Sequence, residues 1–441
     1  MERPEVTQII EEKLRELNLN NHHDIFCREH NPLDGTHKES EAIEPSSFNF
    51  PWVDVRSYKS FQAALNTGKS VYVPEGVYNL KALTMNTESQ CLAGAGWGTV
   101  LSFDDSHGII TQANNINIRN MKLILADQGK DFDAIRNTDG STRFNYQNYK
   151  NIWFVGWQDA IYGLGATSSI FNKNKIQNCQ RGIYLEGLAV NNLITANIID
   201  ADDHCLYFLV STSVPEGMRI SDNVLYGAVN GIYANRADFL LITNNIIDHV
   251  SNGINFVGSS DTGGHILRGN WIGLNAGTGY GIKFNISAPC TIPSIVALNE
   301  VKAYGAGAKT GISIGSNSPN TVVMGNSVIN MNTYDMEVAS DENVVAGNIL
   351  VSPGAANNLS ITGSNNSWFG NIAPKFGVAG SHKVQQLQNH ITRGASAPVA
   401  GTWAVGDICW DTNPAAGATP GWVCTTAGTP GTWKAMANLA A

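Results

Sequence analysis

The chain lacks any apolar run approaching the roughly 18 residues that a bilayer-spanning helix needs, so insertion into a membrane by helices is excluded. Charge is scarce. Only 15% of residues are charged, the 28 basic and 37 acidic residues leave a formal net charge of −9, and no Lys/Arg cluster stands ready to neutralise a row of phosphates. Nucleic-acid binding is disfavoured on that ground. The seven Cys are an odd number without framework spacing, and read as reduced core residues made in a cytosol. Glu2, Arg3 and Glu5 precede any apolar stretch, so no Sec signal is expected. There is no Gly-x-Ser-x-Gly elbow, and Cys179 and Cys205 fall in apolar repeat positions, which removes the usual nucleophiles. The Gly94-x-Gly pattern is followed by neither a helix nor an acidic ribose partner, so no dinucleotide loop and no cofactor is called for.

What the chain has in excess is turn-forming residues, 44 Gly and 48 Asn, and they are periodic. One series runs Asn174-Lys-Ile, Asn197-Ile-Ile, Asn223-Val-Leu, Asn245-Ile-Ile, Asn270-Trp-Ile, Asn299-Glu-Val, Asn326-Ser-Val, Asn348-Ile-Leu and Asn371-Ile-Ala. A second is interleaved with it: Asp133-Ala-Ile, Asp159-Ala-Ile-Tyr, Arg181-Gly-Ile-Tyr, His204-Cys-Leu-Tyr, Asn230-Gly-Ile-Tyr, Asn252-Gly-Ile-Asn, Tyr280-Gly-Ile-Lys and Thr310-Gly-Ile-Ser. Apolar positions come in short period-2 groups, never in long 3.6-period stretches, so each repeat is two or three short strands joined by turns. Stacked about 4.8 Å apart, such turns make an all-β parallel β-helix. The recurrent Asn suits a turn that visits αL and stacks its amide on the next rung. Ser60-Phe-Gln-Ala-Ala-Leu predicts one or two turns of helix before the first rungs.

The Tyr72-Val-Pro-Glu-Gly-Val-Tyr opening, the Ala93-Gly-Ala-Gly-Trp-Gly-Thr-Val-Leu segment and the rungs that follow resemble the pectate-lyase-like right-handed β-helix family, above all bacteriophage tailspikes and tail-fibre depolymerases. The family's Gly-Asp-Gly, Asp-Asp-Thr stretch is absent, with Ser57-Tyr-Lys-Ser-Phe in its place. The resemblance implies a homotrimeric right-handed parallel β-helix on a virion tail, released by lysis, that binds and hydrolyses host bacterial surface polysaccharide. Three regions follow: 1–47, a short helix with one apolar stripe (Val6, Ile9, Ile10, Leu14, Leu17) and an arm attaching to a tail or baseplate protein; 48–380, the solenoid; and 381–441, a Trp-rich β module. In the arm, His22, His23, Asp24, Cys27, His30 and His37 fit no recurring metal-ligand template, so no metal site is expected. In the module, Trp403, Trp410, Trp422 and Trp433 either seal a trimer interface or stack on sugar rings.

Side chains alternate across a strand, so if Ile161, Ile183, Leu206 and Ile232 point inward, Tyr162, Tyr184, Tyr207 and Tyr233 form an outward strip. Beside it gather Asp133, Asp159, Arg181 and His204, with Asp202, Asp203, Glu186 and Trp157 close by; from Asn230 onward the charge leaves these columns. Glycoside hydrolysis needs a carboxylic acid and a carboxylate roughly 5 to 9.5 Å apart. Glu186, Asp159, Asp202, Asp203 and His204 are the catalytic candidates. Tyr162, Tyr184, Tyr207, Tyr233, Arg181, Asp133 and Trp157 are the candidates for holding the sugar. Two alternatives remain open: a lyase in which His204 or a Tyr removes a proton beside a uronate carboxylate that Arg181 neutralises, and a tail protein that only binds.

Overall fold

The computed structural model describes residues 52–127, 129–137, 144–211, 213–258, 263–275, 277–290, 292–378 and 391–440; the N-terminal helix and the His cluster lie outside them. The chain is an all-β parallel β-helix of about 12 turns with almost no helix. Ser60 caps a short α-helix, Phe61–Leu65, by accepting from the Ala63 amide. Each turn contributes to three parallel sheets. The first sheet contains strands such as Ile170–Asn172, Leu193–Thr195 and Arg219–Ser221. The second includes the front halves of Lys175–Glu186 and Ile198–Leu209, followed by Val224–Tyr226. The third is built from Asp159–Leu164, the back halves of those two long strands, and Asn230–Asn235. Their inward residues, among them Phe154, Ile176, Ile183, Leu206 and Phe256, form one continuous buried core along the axis.

The first repeat series is a hydrogen-bonded ladder at the corner between the first and second sheets. Asn197 accepts at Oδ1 from both the backbone amide and the side-chain amide of Asn174, at 3.0 Å each, and donates from Nδ2 to Asn223 Oδ1 at 2.9 Å and to the Phe171 carbonyl at 2.9 Å. The pattern repeats through Asn245, Asn270, Asn299, Asn326, Asn348 and Asn371. Each amide thus satisfies turn backbone that is buried from water. The turns visit αL, as the asparagine pattern predicts. Left-handed φ belongs to the residue before each ladder Asn, such as Lys173 at 57°, Ala196 at 55°, Asp222 at 58°, Asn244 at 56° and Gly269 at 67°. The preceding residue reverses the chain, which aims the Asn side chain into the stack.

The two series hold their phase because they interlock. A Cβ placed on Gly231 would lie 2.3 Å from Ile247 Cγ2, and one on Gly182 would lie 2.5 Å from Ile199 Cγ2. Gly of the second motif is the space into which the β-branched residue of the first motif, one rung on, inserts its methyl. Each repeat therefore specifies its neighbour.

A separate four-stranded sheet comprises Ile391–Gly394, Ile408–Asp411, Gly421–Thr426 and Thr432–Ala435. Its Cys409 and Cys424 are buried and are not joined to each other by a disulfide.

Candidate functional site

On the third sheet the register puts Tyr162, Tyr184, Tyr207 and Tyr233 in one row across four rungs, and Asp159, Arg181, His204 and Asn230 in another. Both rows lie on the outer side of the sheet, because the positions between them (Ala160, Gly182, Cys205, Gly231) and the following Ile or Leu turn inward together at the corner; within the rows Asp159, Asn230 and Tyr184 are covered by their neighbours and buried. The rings touch. Tyr162 and Tyr184 meet edge to face at 5.1 Å, Tyr184 stacks on Tyr207 at 4.7 Å, and the His204 imidazole stacks on Tyr207 at 4.7 Å and Tyr233 at 5.0 Å. Arg136 extends the row by one rung, with its guanidinium 4.7 Å over Tyr162. Five rungs of rings and cations span about 19 Å at the parallel-strand spacing. Arg136 was legible in the sequence. Asp133-Ala-Ile-Arg136 repeats Asp159-Ala-Ile-Tyr162 and puts Arg136 in the tyrosine column.

Glu186 is the carboxylate on this strip. Its Oε2 accepts from the Tyr184 hydroxyl at 2.8 Å and from the Tyr162 hydroxyl at 3.1 Å. Burial, followed by the charge of Glu186 and the hydrogen bond to it, pushes the Tyr162 phenol up to about 12; Tyr184 is raised still further by burial and its bond to Glu186. Both phenols therefore stay protonated and donate. His204 is held neutral, since burial lowers its pKa and outweighs the pull of Asp203. Its Nδ1 is 3.1 Å from the Asn230 side-chain amide.

The other acidic candidates are placed differently. Asp159 is buried and bound at two points by Arg181, Nε to Oδ1 at 2.5 Å and Nη2 to Oδ2 at 2.9 Å. Burial pushes its carboxyl up to about 7 against the pull of Arg181, and Asp133 pushes the same way. Asp133 is buried too, with Arg136 Nη1 on its Oδ2 at 2.6 Å and its own amide donating to His107 Nδ1 at 3.0 Å. Each of these aspartates is thus the counter-ion of an arginine that lies over a tyrosine; Arg181 sits 4.5 Å over Tyr184. Asp203 accepts from Gln180 at 2.9 Å, and the exposed Asp202 pairs with Lys130.

Asp159 lies in register with Arg181, five strand positions before Glu186, and its carboxyl is taken by Arg181. One expectation is corrected. Trp157 does not reach the surface at all: it is fully buried, donates to the Leu123 carbonyl at 3.1 Å and packs edge-on against Phe103. It lies on the inward-facing corner, where a large ring fills the core. Among the described residues no group of His, Cys, Asp or Glu is arranged to hold a metal ion.

No family model and no curated protein matches the chain. Solved structures do. The catalytic unit of a thermostable GH87 alpha-1,3-glucanase from Streptomyces thermodiastaticus superposes with a TM-score of 0.51 and 15% identity, over 75% of this chain and 68% of that one. DFA-IIIase from Arthrobacter chlorophenolicus, in complex with DFA-III, superposes with a TM-score of 0.50 and 11% identity, over 70% of this chain and 94% of that one. Both neighbours are carbohydrate-active β-helix enzymes. At these identities the likeness is one of fold.

Proposed function

We propose that this chain is a tailspike-type depolymerase: a homotrimer on a virion tail that lays host bacterial capsule or O-antigen polysaccharide along the tyrosine strip and hydrolyses it at Glu186. The observation that carries the reading is the row Arg136, Tyr162, Tyr184, Tyr207, Tyr233 in register over five rungs, with one carboxylate held at its middle by two phenols. Tyrosines offer sugar rings apolar faces and hydroxyls at modest entropic cost. Glu186 is the base that takes a proton from the attacking water, with Tyr184 and Tyr162 fixing its orientation, and the departing oxygen takes its proton from solvent at the open strip; Asp159 and Asp133 serve by holding the arginines. The trimer has support in exposed apolar side chains on and beside the first sheet, where Ile266 and Ile295 are 40% and 38% exposed and Leu298, Met324 and Phe369 are 54%, 46% and 51% exposed. Light scattering giving a monomer near 47 kDa would remove that part.

The test is to incubate wild type and Glu186→Gln with host surface polysaccharide and follow polymer size and new reducing ends. Shortening by wild type alone supports the reading. If wild type leaves the polymer at full length on every susceptible host strain, the protein is a receptor binder. A lyase is the second reading, favoured by the neutral His204 stacked beside Arg181-covered tyrosines. Products with the ultraviolet absorbance of an unsaturated uronate select it.

A further inference from the structure

Three of the four tryptophans of the C-terminal sheet divide into two kinds. Trp403 and Trp433 pack on each other edge to face at 5.3 Å, and each indole N–H is taken by its own turn, Trp403 by the Ala400 carbonyl at 2.7 Å and Trp433 by the Pro430 carbonyl at 3.2 Å. These two hold the module together. Trp410 does not join them. It is 40% exposed in a row running Arg393, Trp410, Gly421 across three neighbouring strands. Gly421 has no side chain to cover the indole, and a Cβ there would meet the Cys409 carbonyl at 2.3 Å, so the gap beside the ring is fixed by close backbone packing. Against the ring lies a cavity of about 400 Å³, lined by Trp410, Arg393, Asp411 and Thr412 and walled by Pro420 and Leu439. Asp411 is held in place by accepting from the Asn413 amide at 2.9 Å.

An aromatic face with a guanidinium, a carboxylate and a hydroxyl around it is amphipathic in the way a pyranose ring is, apolar on one face and hydroxylated at its edge. We propose that this cavity is a second saccharide site, independent of the third-sheet strip, in which one pyranose unit stacks on Trp410 while Arg393 donates to its hydroxyls and Asp411 accepts from them. The site needs no catalysis at the strip and stands whether or not the depolymerase reading does.

The test reads Trp410 itself. Full-length protein labelled with 5-fluorotryptophan is titrated separately with maltotriose, chitotriose and trigalacturonate, and the Trp410 fluorine signal is identified by its loss in Trp410→Phe. The expected result is a saturable shift of that signal with at least one trisaccharide, while the Trp403 and Trp433 signals stay in place. Arg393→Gln, which keeps the signal, should weaken the titration by at least about tenfold, the size of one lost hydrogen bond to a charged donor. If Trp410→Phe does not fold, the same signal is identified by its loss in Trp410→Tyr. No shift with any of the three sugars, or an unchanged titration in Arg393→Gln, overturns the proposal.

Discussion

Tyr184 donates its hydroxyl hydrogen to Glu186 two positions along the same strand, at 2.8 Å. Residues two apart share a face of a strand, so the contact is built into the local sequence and needs no loop to form it. Tyr162 adds a second donor from the rung below. Replacing Tyr184 with Phe removes the shorter, charge-assisted bond and leaves the ring. The expected outcome is a fall in kcat of about 10- to 100-fold with KM within about threefold, measured on purified host polysaccharide. Equal loss in kcat and gain in KM would mean that the hydroxyl only holds the sugar.

Asp159 separates a structural from a catalytic role. As the buried counter-ion of Arg181 it should be replaceable by Asn at a cost in stability but with turnover kept within about tenfold, whereas Glu186→Gln should lose at least about 100-fold. Arg181→Met alone strands a buried carboxyl and should destabilise by about 3 kcal/mol, and adding Asp159→Asn should recover most of it. Urea unfolding of the three variants measures this. Loss of turnover in Asp159→Asn as deep as in Glu186→Gln would restore Asp159 to the chemistry.

The fold was legible because it is a local rule repeated. Asn174 to Asn371 and the Gly-Ile motif each recur at rung spacing, and their interlock leaves the repeat little room to vary. The tyrosine row was legible for the same reason, since alternation fixes which side chains point out. Two features were not. Trp157 sits where the chain turns a corner and strict alternation stops, so its inward direction depends on the bend between sheets. The pairing of Asp159 with Arg181 was hidden too, since rung number sets the two side by side without saying that the carboxylate is taken up by the guanidinium.

The asparagine ladder should behave as one unit. Asn270 accepts from the Asn245 backbone amide at 3.1 Å and side-chain amide at 2.9 Å, and donates to Asn299 at 2.9 Å and to the Ile242 carbonyl at 3.0 Å. Asn270→Ala removes these four bonds; Asn299 Oδ1 keeps the backbone amide of residue 270 and Asn245 Nδ2 keeps the Ile220 carbonyl, so the Asn245 backbone amide and the Ile242 carbonyl are the groups that lose the side chain outright. The expected cost is about 4 kcal/mol, more than the cavity alone explains, and hydrogen exchange should quicken first at the rungs on either side. A cost below about 1 kcal/mol would mean that water replaces the amide there.

His265 gives the solenoid an acid limit. It is fully buried, stacks on Phe256 at 4.2 Å, and accepts at Nδ1 from the Leu240 amide at 3.3 Å. Burial lowers its pKa from the ordinary 6.5 to about 3. Between those values the unfolded chain binds a proton that the folded chain refuses, so stability is full above about pH 6.5 and falls as pH drops toward about 3. At pH 4.5 the loss from this one group is about 3 kcal/mol, at 1.36 kcal/mol per unit. His265→Asn can keep an acceptor for the Leu240 amide but has nothing to protonate. The variant should be less stable than wild type at pH 7, because the ring stack is gone, yet lose less on acidification. Urea midpoints at pH 7 and pH 4.5 decide it: equal pH slopes in the two proteins would show that His265 is not the group that sets the limit.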